Sequence, residues 1–181
     1  MKINKKALII AGIVAAIVVF IIVLFITTNN RAISLEEQIL SADSDIQVQE
    51  KRRTDLIYNL VDCVKEYDKH EAETLLAVVN ARTSETDIKE ITTQLSVTAE
   101  AYPELKSSEN YRELMNELSI TENKIAEHRS AYNNQIRAYN KYVRKFPTNQ
   151  ILSLMGYQII EYQYLEYSEE DKQPVKSLFG E

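Results

Sequence analysis

The sequence predicts an all-α protein: an N-terminal transmembrane helix followed by an antiparallel bundle of long helices. Three observations predict it. The 181 residues include only three Gly and three Pro, far below ordinary usage of roughly 7% and 5%, and sheet architectures need many tight turns. Ala7 to Ile26 is an unbroken run of 20 residues without a charge or an amide side chain. Beyond it, apolar residues recur at alternating steps of three and four, the period of one helix face.

The apolar run comes first. At about 1.5 Å per residue it reaches about 30 Å, the depth of a bilayer's hydrocarbon core. Lys2, Lys5 and Lys6 precede it and Thr27-Thr28-Asn29-Asn30 follow. A secretory leader usually has a shorter apolar region, about 7–15 residues, and a small-x-small cleavage site; neither is present, which favours an uncleaved anchor. Basic residues close to a span stay on the cytoplasmic side, and only Arg31 follows closely. The expected arrangement is therefore a cytoplasmic segment 1–6, a span 7–26 in the cell membrane, an outward-facing bundle 27–167 and a tail 168–181.

After the span, Ser34-Leu35-Glu36-Glu37 has capping-box spacing, and no Gly or Pro interrupts a helix before Ala81-Arg82. Its stripe is Leu56, Leu60, Cys63, Tyr67, His70, Thr74, Ala77 and Ala81. A second helix is expected over 86–101, carrying Ile88, Ile91, Leu95 and Val97 or Thr98, with Tyr102-Pro103 ending it. The third spans about 108–145, with Tyr111, Leu114, Leu118, Thr121, Ile125, His128, Tyr132, Ile136, Tyr139, Val143 and Phe146 on one face. The fourth is expected over about 149–167, through Leu152, Met155, Ile159, Tyr162 and Leu165. Short connections make such helices antiparallel neighbours.

Charge and composition exclude several functions. Residues 1–30 hold three of the 21 basic residues and none of the 27 acidic ones, leaving the remainder at −9. Nucleic acid is therefore not an expected partner, because its binding needs concentrated Lys and Arg. Lys51-Arg52-Arg53 is read as a solvated helical face, with Arg52 and Asp55 as an i,i+3 pair. Three glycines supply no phosphate cradle. Cys63 is the sole cysteine, so no internal disulfide forms, and on a helical stripe it reads as a small hydrophobe. No nucleophile elbow or cysteine–histidine grouping is recognisable.

Two long stretches carry a family likeness. They are IQVQEKRRTDLIYNLVDCVKEYDKHEAETLLAVVNAR (Ile46 to Arg82) and YPELKSSENYRELMNELSITENKIAEHRSAYNNQIRAYNKYVRKFP (Tyr102 to Pro147), with a closing QPVKSLF. In this order they resemble the LemA family, from the anchor to the last few residues. The family's usual Pro before Asn-Leu-Val is Tyr58 here, its Trp ahead of Ile46 is Asp43, and a usual Leu is Glu50; losing the Pro should straighten the first helix. The resemblance implies a membrane-anchored bundle of long helices, mostly bacterial, with no agreed activity. His70, Glu71, Arg82, Glu122, Asn123, Arg129, Asn133 and Asn140 are then the candidate polar set. Glu-x-x-His, the di-iron ligand spacing of bundles, is absent, so a hydrogen-bonded network fixing helix register is the preferred reading over a metal or acid–base site. A pH-responsive histidine is a further alternative.

Of the eleven tyrosines, Tyr157, Tyr162, Tyr164 and Tyr167 cluster late. Bundle packing is their commonest role, and a contact surface is the functional alternative. The expected function is a non-enzymatic scaffold or adaptor of the cell envelope. It has no catalytic residue, metal or cofactor, and contacts the bilayer through residues 7–26 and another membrane protein or a second copy through the body. The alternatives are an envelope sensor or signalling ectodomain and a metal-dependent enzyme using His70 and nearby carboxylates.

Overall fold

A computed structural model describes residues 5–81 and 85–165. The elements are α1 (Lys5–Lys65), α2 (Lys69–Ala81), α3 (Glu85–Ala101), α4 (Pro103–Ser107), α5 (Glu109–Arg144) and α6 (Thr148–Leu154). No strand occurs among the described residues, as the scarcity of turn formers predicts.

Helix α1 starts at Lys5, just before the apolar run, and continues without interruption to Lys65. Ser34, expected to cap a new helix, therefore lies in the interior of one, where its carbonyl accepts from Gln38 Nε2 at 3.0 Å. The end of α1 also departs from the expected helix reaching Ala81-Arg82. Asp68 ends it without Gly or Pro: its Oδ1 accepts from the amides of His70 (2.9 Å) and Glu71 (3.1 Å), the N-cap pattern of a new helix. The break resets the helical phase, so Tyr67, His70, Thr74 and Ala77 are exposed and Ala72 and Leu75 are buried instead. Arg82 lies outside the described residues.

Helix α3 buries Ile91, Leu95, Thr98 and Ala99, and leaves Val97 61% exposed. Tyr102-Pro103 ends it as expected. Pro103 then opens α4 as a first-turn proline, a position that has no amide to lose.

Helix α6 is shorter than the expected 149–167. Gly156 has φ +70, a left-handed conformation that favours glycine. The amides of Gly156 and Tyr157 donate back to the carbonyls of Ser153 (3.1 Å) and Leu152 (3.0 Å), the Schellman stop. Residues 157–165 follow without regular structure. Met155 and Ile159, expected on a buried face, are 41% and 44% exposed.

Contacts group the chain into two units, residues 1–43 with 129–181 and residues 44–128; α1 and α5 contribute to both. In the first, Ala32, Leu35 and Ile39 of α1 meet Ile136, Tyr139 and Val143 of α5 and Leu152 of α6. Both long helices contribute at steps of three and four, and burial of these side chains stabilises the unit in proportion to the apolar area removed from water. In the second, Leu56, Ile57, Leu60, Val61 and Val64 of α1 pack with Ala72, Leu75, Ile91, Leu95, Leu105, Tyr111 and Leu118. Phe146, read from the period as a face residue of α5, is 77% exposed.

One helix among the described residues is long and apolar enough to cross a membrane, with an 18-residue window of mean hydropathy 3.5 and none of that window buried. A helix this apolar in a soluble core would be covered by its neighbours. Among the described residues nothing buries this window.

Candidate functional site

Polar side chains enter the first unit around one carboxylate. Glu36 sits one position after the buried Leu35 and is half-buried. Tyr139 donates to Glu36 Oε1 at 3.2 Å, Tyr157 donates to the same oxygen, and the two phenol oxygens are 3.4 Å apart. Tyr162 sets its ring edge-on to Tyr139, 5.4 Å between centroids at 87°, the arrangement favoured by the ring quadrupole. Burial, then the bond to Glu36, pushes the Tyr157 phenol well above the usual range. Burial and then the Glu36 charge raise Tyr162 as well. The Tyr157 phenol therefore stays protonated at neutral pH and acts as a donor to Glu36.

The same cluster fastens residues 157–165 onto α5. The Ile160 amide donates to the Tyr139 oxygen at 3.1 Å. Asn133 donates from Nδ2 to the Leu165 carbonyl (2.8 Å) and accepts from the Leu165 amide at Oδ1 (2.9 Å), so one amide side chain satisfies both backbone groups of a residue. The segment is a strap held on α5 by the side chains of Tyr139 and Asn133.

In the second unit, Arg53 is buried at 6% exposure and its Nη1 lies 3.4 Å from Glu122 Oε2. Arg52 pairs with Glu117 at 2.5 Å rather than with Asp55, whose partner is Lys51 at 4.0 Å. The basic triplet is thus not a wholly solvated face, because α5 runs alongside α1 and takes two of its three cations. Asp68 also accepts from the Tyr102 hydroxyl at 2.6 Å. That bond first, and the Glu71 amide second, hold its carboxyl below the usual range, and the bond to Asp68 in turn raises Tyr102.

Cys63 lies in a shallow groove of about 270 Å³ lined by Asn59, Asp62, Glu66, Asn110 and Leu114. Asn110 Nδ2 approaches its sulfur at 3.5 Å. Burial, then the charges of Glu66 and Asp62, push the thiol up, the opposite of what activates a nucleophilic cysteine. The phenol of the neighbouring Tyr111, bonded to the Leu95 carbonyl at 2.9 Å, is pushed up to about 12 by burial. Among the described residues no group of three or more His, Cys, Asp or Glu lies close enough to hold a metal ion.

The described members of the expected polar set are divided between the two units. His70 is exposed in the first turn of α2, and Glu71 is half-buried beside the Thr98 hydroxyl at 3.4 Å. Glu122 takes Arg53, Asn123 is exposed, and Arg129 and Asn140 are half-buried. Asn133 serves the strap. Tyr157 and Tyr162, candidates for a contact surface, turn onto Glu36 and Tyr139; Tyr164 is 46% exposed, and Tyr167 lies outside the described residues. Sequence reasoning missed Glu36, Tyr139 as a hydrogen-bonding centre, Arg53 and Asp68. Only Asp68 had a local signal, the capping spacing Asp68-x-x-Glu71.

The sequence profile of the LemA family matches residues 42–179. The chain belongs to the LemA family. Protein LemA of Metamycoplasma hominis is 28% identical over 139 residues, covering 69% of this chain and 64% of that protein, so the chain spans somewhat less than two thirds of its relative's length. The LemA match opens at Ala42, within α1. It therefore takes in the C-terminal part of that helix and leaves the apolar run outside, a narrower reach than the resemblance from the anchor onward. Glu36 lies outside it as well, whereas its partners Tyr139, Tyr157 and Tyr162 lie inside.

Proposed function

We propose that this LemA family chain is a membrane-anchored scaffold or adaptor of the bacterial cell envelope and performs no catalytic step. The carrying observation is the continuity of α1. A single helix passes from an apolar run with an 18-residue window that is nowhere buried into side chains that build the cores of both units. Cleavage after the run would cut a helix in mid-course rather than release a leader. An N-terminus in the cytoplasm and a body facing outward follow from the three lysines before the run.

The polar groups support a binding role. Protonated phenols around Glu36 provide anchoring hydrogen bonds, and the thiol pushed up is the opposite of an activated nucleophile. The exposed Tyr164 is the contact residue of this reading, since a tyrosine packs its ring while its hydroxyl stays wet.

A photoreactive residue in place of Tyr164, irradiated in native membranes and followed by mass spectrometry, tests the proposal. Reproducible adducts with one membrane or envelope protein, or with a second copy, are expected. Adducts with lipid alone would remove the scaffold reading. Protease treatment of intact cells tests the orientation: a body that survives until lysis faces inward.

A further inference from the structure

The helix pairing in the first unit carries a consequence for lipid contact, given that α1 spans the bilayer as proposed above. Helix α5 runs antiparallel to α1 there: Tyr139 meets Glu36, and further along α5 the Tyr142 hydroxyl donates to the Thr28 carbonyl at 3.2 Å. Thr28 lies two residues past Ile26, the last residue of the apolar run. Four residues on from Tyr142, at about 1.5 Å of rise each, the corner between α5 and α6 comes level with the end of that run. Phe146 stands at this corner, 77% exposed, with Arg144 and Lys145 exposed just before it.

Charge points the same way. From His128 to Ile160 there are 33 consecutive residues without a carboxylate, and residues 1–35 contain none either. This is unusual in a chain of net charge −6, and in the first unit the two stretches pack together, Ala32 and Leu35 against Ile136, Tyr139, Val143 and Leu152. Arg31, Lys141, Arg144 and Lys145 are exposed there. Lys141 and Arg144 also suit the C-terminal end of a helix, but the dipole gives no reason for an exposed phenylalanine beside them.

We propose that the α5–α6 corner is a second membrane contact: Phe146 inserts into the interfacial region and Arg144 and Lys145 pair with the phosphates of anionic lipids. Apolar side chains such as Phe bury at the headgroup–acyl boundary when basic residues flank them. Each basic side chain near an anionic surface multiplies occupancy about fivefold. The contact fixes the rotation of the unit about α1, which a lone span leaves free.

The sequence contains no tryptophan, so single tryptophans report depth directly. Phe146→Trp, Ile17→Trp and Leu40→Trp are each placed in the full chain and reconstituted into phosphatidylcholine vesicles, with or without phosphatidylglycerol, carrying acyl chains brominated at shallow or deep positions. Ile17→Trp should be quenched by deep bromines. Phe146→Trp should shift to the blue and be quenched by shallow bromines, more strongly with phosphatidylglycerol. Leu40→Trp, about 20 Å beyond the run by helical rise, should be unquenched. Arg144→Gln with Lys145→Gln should abolish the extra quenching caused by phosphatidylglycerol. An unquenched Phe146→Trp beside a quenched Ile17→Trp overturns the corner contact and leaves the span standing. An unquenched Ile17→Trp overturns the span and the contact together. Equal quenching at Leu40 and Phe146 overturns the assigned depth, and insensitivity to phosphatidylglycerol overturns the phosphate pairing.

Discussion

Removing one oxygen from the first unit, by Tyr139→Phe, isolates what the phenol contributes. Tyr139 is fully buried, and phenylalanine keeps the ring, its packing and the edge-on contact with Tyr162. Two hydrogen bonds go: the donation to Glu36 (3.2 Å) and the acceptance from the Ile160 amide (3.1 Å). A bond to a charged group contributes about 1.5–3 kcal/mol and a neutral one about 0.5–1.5. Glu36 is only half-buried and keeps Tyr157, which puts the first at its lower end. The expected loss is about 2–3 kcal/mol, or roughly 30- to 150-fold in the folded-to-unfolded ratio. Urea titration of the detergent-solubilised chain, followed by far-ultraviolet circular dichroism, measures it as a lower midpoint at unchanged slope. Combining the change with Glu36→Gln should give a coupling of about 1 kcal/mol, since the two side chains touch. Amide exchange at Ile160 should quicken. A loss below about 0.5 kcal/mol, or strict additivity with Glu36→Gln, would refute the carboxylate-centred arrangement.

Four further outcomes follow from the second unit. Asp68 has a folded pKa below its unfolded value, so its contribution is complete above the unfolded pKa of about 3.9 and is lost as pH falls through the folded value; acid titration should show a stability decline below about pH 4 that Asp68→Asn flattens. Glu122→Gln should cost about 1–2 kcal/mol by weakening the partner of buried Arg53, less than for a fully buried pair because Glu122 is 42% exposed. Arg53→Met should be close to neutral in the same denaturation assay, as the cation and its desolvation disappear together. Cys63 should be alkylated by iodoacetamide more slowly than an unhindered thiol at pH 8, and Asp62→Asn with Glu66→Gln should speed it, because both carboxylates raise the thiol.

The helices were readable wherever burial follows a simple period. Of the α5 stripe, Tyr111, Leu118, Thr121, Ile125, Ile136, Tyr139 and Val143 are buried, Leu114, His128 and Tyr132 are half-buried, and only Phe146, past the helix end, is exposed, because an uninterrupted helix keeps its phase. The stripe beyond Cys63 failed for the opposite reason: Asp68 ends α1 with a side-chain cap, and a helix restarted after a break does not inherit the earlier phase. Helix α6 was overextended because its apolar spacing invites continuation past Met155, whereas Gly156 closes it. The candidate site was the least legible part. Glu36 reads as an ordinary helix-surface glutamate, and nothing near it in sequence announces tyrosines more than 100 positions away.

By itself the sequence determined the α class, the apolar run and the family, since each is written in local composition, period or contiguous motif. The tertiary structure decided which polar groups meet: that Asn133 holds a strap, that Arg53 is buried against Glu122, and that Tyr157 faces Glu36. It also brought Arg144, Lys145 and Phe146 to the level where the apolar run ends. Those positions depend on the antiparallel register of α1 and α5, a property of two distant segments docked together and of neither alone.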